Sequence, residues 1–334
     1  MRRNRRKRSS SPRSSFTKRA FLSVVLIGLF LTIIKLGRFW LLLSFGVLDI
    51  LVFSELLKVL LGIGGGWPVI SEFLSSRLSS LPAGFFWWCF VTTGVTHGLR
   101  VVCPGYAKLA RQIGMPMQIV GLIWFLWLLK GGMYRQKFFH ASLVLVWAAG
   151  LVQCTSAAVA NLDRGMFFFV FPCLLVGIND TAAYAVGRCC GRQPLTALSP
   201  KKTIEGFIGG GLITLILSWP AAYLTRSITG EAVELSAWMV LGLSILASTI
   251  APFGGILASG FKRAFGVKDF GRLIPGHGGV ADRVDCHLVM QVTTHVFLSY
   301  LKRSRKIEGL MGEIEERLTP AEIFQLVEAL TSVQ

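Results

Sequence analysis

Nine apolar windows, near residues 20–36, 39–60, 84–102, 115–130, 138–160, 165–187, 206–224, 237–258 and 286–301, constrain this chain more than any other feature. A segment needs about 20 mostly apolar residues to cross roughly 30 Å of hydrocarbon. The expected fold is therefore all-α, a polytopic integral membrane protein with eight or nine transmembrane helices, the last window being the shortest. A soluble domain is excluded on composition. The chain is 53% hydrophobic and 16% charged with mean hydropathy +0.60, whereas soluble domains carry about 25% charged residues.

The net charge of +18 is uneven: residues 1–19 hold nine Lys or Arg, and the first acid is Asp49. This basic tail reads as a disordered cytoplasmic anchor that obeys the positive-inside rule and rests on anionic lipid. It also has the Arg/Ser-rich character of an organelle transit peptide. No folded reader domain follows it, so no nucleic-acid partner is expected. The run from Ala20 to Ile34 meets Lys35, Gly37 and Arg38 with no small-residue cleavage site, and so stays as a helix rather than leaving as a signal peptide.

Counting spans from a cytoplasmic amino terminus places loops 188–205 and 259–285 on the cytoplasmic face and loop 225–236, with Arg226, Glu231 and Glu234, opposite. A ninth span would carry Lys302, Arg303, Arg305 and Lys306 across, against the positive-inside tendency. The expected divisions are the tail 1–19, a membrane domain 20–301, and an amphipathic helical tail 302–334 broken at Thr319 and Pro320, with Thr319 and Glu322 spaced as a capping box. Seven scattered cysteines give neither a disulfide framework nor a zinc site and read as apolar packing residues.

Two loops carry chemistry. In 259–285, Asp282 and Asp285 are three apart and share a helix face. With Asp269 brought near by the Pro275–Gly279 turn, three carboxylates can hold one or two hard cations such as Mg²⁺. The alternative is that these acids simply pair with Lys262, Arg263, Lys268 and Arg283. Gly276, Gly278 and Gly279 permit close backbone approach and an anion-binding nest; His277 either touches a phosphate or only stabilises the turn.

In 179–210, Ser199 and Thr203 can donate to phosphate oxygens while Lys201 and Lys202 neutralise charge, and a helix starting at Pro200 would aim free N–H groups at the same anion. Asp180, towards the end of an apolar span, is a functional candidate; its bland alternative is a helix-end carboxylate bonded to Tyr184 or a lysine. Arg188, Arg192, Gly187 and Gly191 extend the basic surface. Glu55, a second membrane-level acid, has no partner legible in the sequence.

These residues carry a resemblance. Ser259, Lys262, Arg263, Lys268, Asp269, Pro275, His277, Gly278, Gly279, Asp282, Arg283 and Asp285 resemble the defining motif of CDP-diacylglycerol synthases (phosphatidate cytidylyltransferases). Asn179-Asp180, Ala183-Tyr184, Ser199-Pro200-Lys201-Lys202-Thr203 and Glu205-Gly206-Phe207 resemble the family's other loop, in its eukaryotic form. The resemblance covers roughly residues 160–300. Arg272 stands where a small or uncharged residue is expected, and the amino-terminal third is shorter and more divergent.

The resemblance implies Mg²⁺-dependent condensation of CTP with phosphatidate to CDP-diacylglycerol and diphosphate, with a cytoplasm-facing site in the endoplasmic reticulum membrane. It implies metal held by Asp269, Asp282 and Asp285 with Asp180, and phosphates held by Lys201, Lys202, Lys262, Arg263, Lys268 and Arg283. The expected partners are CTP, phosphatidate and membrane lipids, and a homodimer is compatible. Rival readings are a transferase acting on another lipid phosphate, a polyprenol kinase, and a transporter of phosphorylated solutes. The transporter lacks support because the charges gather in two same-side loops and no internal repeat is visible.

Overall fold

Glycine and proline decide where the long apolar segments turn. A computed structural model describes residues 12–60, 83–95, 105, 107–129, 134–271, 273–274 and 278–317. Its helices are α1 (Pro12–Leu36), α2 (Arg38–Leu60), α3 (Ala83–Thr93), α4 (Ala107–Leu128), α5 (Tyr134–Arg164), α6 (Met166–Cys190), α7 (Ile204–Thr229), α8 (Ala237–Thr249), α9 (Ala251–Ala264) and α10 (Ala281–Arg317). A two-stranded ribbon, β1 (Pro194–Thr196) with β2 (Ser199–Thr203), lies between α6 and α7. Gly37 and Gly165 take positive φ at the α1–α2 and α5–α6 corners. Gly230 closes α7 in the left-handed conformation, its N–H bonding to Arg226 O.

Among the described residues, five segments are long and apolar enough to cross a membrane: α2, Lys137–Arg164 within α5, α6, α7, and the 28-residue stretch Ala237–Ala264 that contains α8 and α9. Shorter apolar helices lie at Leu22–Leu36 and Gln112–Leu128. The protein is thus an all-α polytopic membrane protein; of the expected windows, 84–102 is described only to residue 95, and 286–301 forms part of α10 without meeting the length and apolarity of a span. Pro252 lacks the N–H that would reach the Ser248 carbonyl, and the break between α8 and α9 falls beside it.

Two boundaries run differently from the sequence divisions. Helix α1 starts eight residues before the first apolar window, and α10 continues from the ninth window through residue 302 to Arg317. His277, Pro275, Gly276, Arg272 and the 318–334 segment lie outside the described residues.

Small residues bring the central helices together. A Cβ on Gly206 would stand 2.7 Å from Ala183 O, and one on Gly210 2.7 Å from Ala183 Cβ. The α6–α7 seam therefore rests on Ala183 and Gly187 against Gly206 and Gly210, the small-residue spacing of close membrane helix pairs. Gly254 of α9 is pressed just as closely on the Asp285 carbonyl of α10.

Around this seam Phe167, Phe171, Leu175, Leu243 and Met290 form one buried cluster, and Phe53, Phe86, Phe125 and Phe270 belong to another. A polar tie crosses the apolar interior. Asn161 Nδ2 donates to both the Gln291 carbonyl and its Oε1 at 2.9 Å, and Gln291 Nε2 donates to Phe169 O at 3.2 Å. Such mutually satisfied amides fix the register of α5, α6 and α10 without leaving a buried group unpaired.

Candidate active site

The segment after α6 is a strand where a helix start was expected. Pro200 sits in β2, which tolerates its missing N–H because a two-strand ribbon has free edges. The turn is held by Thr196 Oγ1, which accepts from Leu198 N at 3.0 Å and Ser199 N at 3.2 Å. Helix α7 begins only at Ile204, with Thr203 as its N-cap: Oγ1 accepts from Gly206 N at 3.1 Å. Glu205 folds back to accept from Arg192 N at 3.0 Å and Gln193 N at 3.3 Å, tying the ribbon to the helix start.

The ribbon roofs a cavity of about 700 Å³, inside the roughly 300–1,000 Å³ range of ligand sites. Helix α6 contributes Asn179, Asp180, Ala183, Tyr184, Gly187 and Arg188. Leu195 of β1, Ser199, Lys201, Lys202 and Thr203 of β2, and Gly206 and Phe207 of α7, form the next wall. Helix α9 contributes Pro252, Gly255 and Ser259, and α10 contributes Asp282, Asp285 and Cys286. Residues of both charged segments, 179–210 and 259–285, thus line one space.

The acids differ sharply in their surroundings. Asp282 is fully engaged: Oδ1 accepts from Lys262 Nζ at 2.6 Å, and Oδ2 from Phe270 N at 2.9 Å and Gly279 N at 3.0 Å. Lys262 also lies over the Phe270 ring, 5.2 Å from its centroid. Asp285 Oδ1 accepts from Cys286 N at 2.7 Å, and the charges of Asp285, Asp180 and Lys202 all act on the Cys286 thiol. Asp180 is exposed to the cavity and forms no ion pair among the described residues. Lys202 Nζ lies close to Gly255, where a Cβ would stand 3.0 Å away, and so reaches the Asp285 side of the cavity. Lys201 is exposed.

Other expected residues stand at the margin. Asp269 is exposed beside Gly278 and does not line the cavity. Arg263 Nη1 donates to Val267 O at 3.2 Å, and Lys268 and Arg283 are exposed. Gly278 has φ 86°, and Gly279 packs against a side chain the sequence did not connect with it. That side chain is Glu55 of α2, whose Oε1 and Oε2 accept from Val280 N at 3.0 Å and Ala281 N at 2.9 Å. Its one sequence signal was a carboxylate in an apolar helix.

Among the described residues no three His, Cys, Asp or Glu side chains converge as a metal centre. The donor chemistry still fits Mg²⁺, which is commonly held by one or two carboxylates together with waters and substrate phosphate. Asp180 and Asp285 supply two such carboxylates from separate helices into the same cavity.

The fold and the cavity define a polytopic helical membrane protein with a polar site lined by lysines, hydroxyls and carboxylates. The particular family follows from comparison: residues 17–301 match the model of the cytidylyltransferase family, and the chain belongs to it. It is 34% identical over 280 residues to phosphatidate cytidylyltransferase 3 of Arabidopsis thaliana, covering 69% of this chain and 58% of that relative. It is 37% identical over 196 residues to the phosphatidate cytidylyltransferase of Encephalitozoon cuniculi, covering 52% and 50%, and 34% identical over 232 residues to human phosphatidate cytidylyltransferase 1, covering 57% and 50%. The chain therefore spans between half and three fifths of the length of these relatives.

Proposed function

We propose that this protein transfers the cytidylyl group of CTP to phosphatidate, giving CDP-diacylglycerol and diphosphate. The observation that carries the reading is the closure of both charged loops on one cavity at the end of membrane helices, in a family whose similar members are named for this reaction. A lipid phosphate and a soluble triphosphate can meet only at such an interface.

In the proposed reaction a phosphate oxygen of phosphatidate attacks the α-phosphorus of CTP. The bond from that phosphorus to the α–β bridging oxygen breaks, and diphosphate leaves with the electron pair. The nucleophile is already an anion, so no strong base is required; the obstacle is bringing two anions together. Lys201 and Lys202, with the Ser199 hydroxyl, neutralise and orient the triphosphate. Tyr184 and Phe207 border the same space with ring surface. Asp180 and Asp285 would hold Mg²⁺, which when bound supplies charge neutralisation at the phosphoryl oxygens. Asp282 holds Lys262 and the Phe270 and Gly279 amides.

The proposed orientation puts both loops in the cytoplasm, in the endoplasmic reticulum membrane, with the basic amino terminus on the same side. The test is purified protein with labelled CTP, phosphatidate and Mg²⁺, each omitted in turn. Labelled CDP-diacylglycerol is expected only with all three present. No product in the complete mixture, or faster turnover with a polyprenol or another lipid phosphate, would overturn the assignment.

A further inference from the structure

We propose that Glu55 is a positioning residue for this reaction: its carboxylate, supplied by α2, sets the first turn of α10 and thereby the placement of Asp285 in the cavity. Glu55 is only 4% exposed and forms no ion pair among the described residues. Its charge is met by the Val280 and Ala281 amides. These are amides that the start of a helix leaves without intrahelical partners, at the end where a negative charge is favoured.

A helix start is ordinarily capped by a local Ser, Thr, Asp or Asn. Here residues 278–280 are Gly, Gly and Val, none with a capping side chain, and the acceptor comes from 225 residues away. The carboxylate is seated against backbone on two sides, because a Cβ at either Gly271 or Gly279 would collide with it. Asp282 holds two further amides, Phe270 N and Gly279 N. Four amides between residues 270 and 281 are thus held by two carboxylates, one from α10 itself and one from α2. Asp285 lies one helical turn beyond these bonds. Its position is therefore referred to α2 as well as to α10 itself.

A second consequence concerns the substrate. With the start of α10 already occupied by Glu55, the free amides of that helix end are not available to the triphosphate, which meets cations from Arg188, Lys201 and Lys202 instead.

The inference rests on the cytidylyl-transfer reading only for its kinetic arm. Full-length Glu55→Gln and Glu55→Asp proteins are compared with wild type by hydrogen exchange and by turnover per folded molecule. Gln keeps the size but loses the charge and presents an NH₂ to one of the two amides. Exchange at Val280 and Ala281 should rise about tenfold, the scale of one lost hydrogen bond, with α5 and α7 unchanged. The kcat per folded molecule should fall at least about tenfold, as expected for a displaced catalytic group, with KM for CTP changed less than about twofold; Glu55→Asp should recover part of both effects. Wild-type exchange, or raised exchange with wild-type kcat, would overturn the proposal. If Glu55→Gln does not fold, Gly271→Ala displaces the carboxylate without removing it, and wild-type kcat in that variant would be equally fatal. If the wild type itself turns over no CTP, the functional reading fails while the exchange measurement still decides whether Glu55 holds α10.

Discussion

Lys262 and Asp282 form an ion pair of 2.6 Å between α9 and α10, with side chains only 11% and 7% exposed. Asp285, one turn further along, lines the same cavity and forms no ion pair among the described residues. Two acids that look equivalent by spacing therefore have different work.

Substitution should separate them. Asp282→Asn removes the ion-pair partner of the largely buried Lys262, a change that typically costs about 3–5 kcal/mol, so it should lower the unfolding temperature in detergent as well as activity. Asp285→Asn should leave that temperature within error and lower kcat by at least about 100-fold, the scale of lost electrostatic stabilisation. Equal thermal stability in the two variants would contradict the division.

The lysines of β2 should also differ. Lys202 reaches the Asp285 side of the cavity, whereas Lys201 stands exposed on the ribbon. Alanine at either position should raise KM for CTP more than for phosphatidate, with the larger effect at Lys202. Steady-state titration of each substrate measures this, and a change confined to phosphatidate would assign the ribbon to the lipid.

The α6–α7 seam has no spare volume. Gly210→Val would place its Cβ against Ala183 and should destabilise the protein by about 1–3 kcal/mol, the usual cost of overpacking. Ala183→Gly in the same chain should recover part of the loss. Unfolding of the single and double variants in detergent measures both, and additive losses would show that the two residues do not meet.

Topology is open to direct labelling. Single cysteines at Ser199 and Lys268, in a background without other thiols, should react with an impermeant reagent from the cytoplasmic side, and one at Glu234 only from the other side. Gly266 is a poor reporter site because its φ of 67° strains any side chain. Reaction of the first two from opposite sides would contradict a shared cavity.

The helices were legible because apolar runs such as those around Phe45 and Leu243 declare themselves without partners. Both loops were legible because serine, lysine and aspartate gather there against an apolar background. Glu55 was not, since it binds backbone amides that any residue possesses, and no side-chain complementarity marks them. The Pro200 strand was misread as a helix start because proline suits both. Thr203, with Glu205 and Gly206 after it, was the better signal of where α7 begins.

Glu55 and the Val280 amide it binds are 225 residues apart, and ribosomes add about 5–20 residues per second, so roughly 10–45 s separate their synthesis. Throughout that interval α2 carries an acid with no amides to receive, a costly group to leave in an apolar segment. Helix α10 thus completes α2 as well as the cavity. A chain stalled before residue 280 leaves the Glu55 carboxylate without either of its amides.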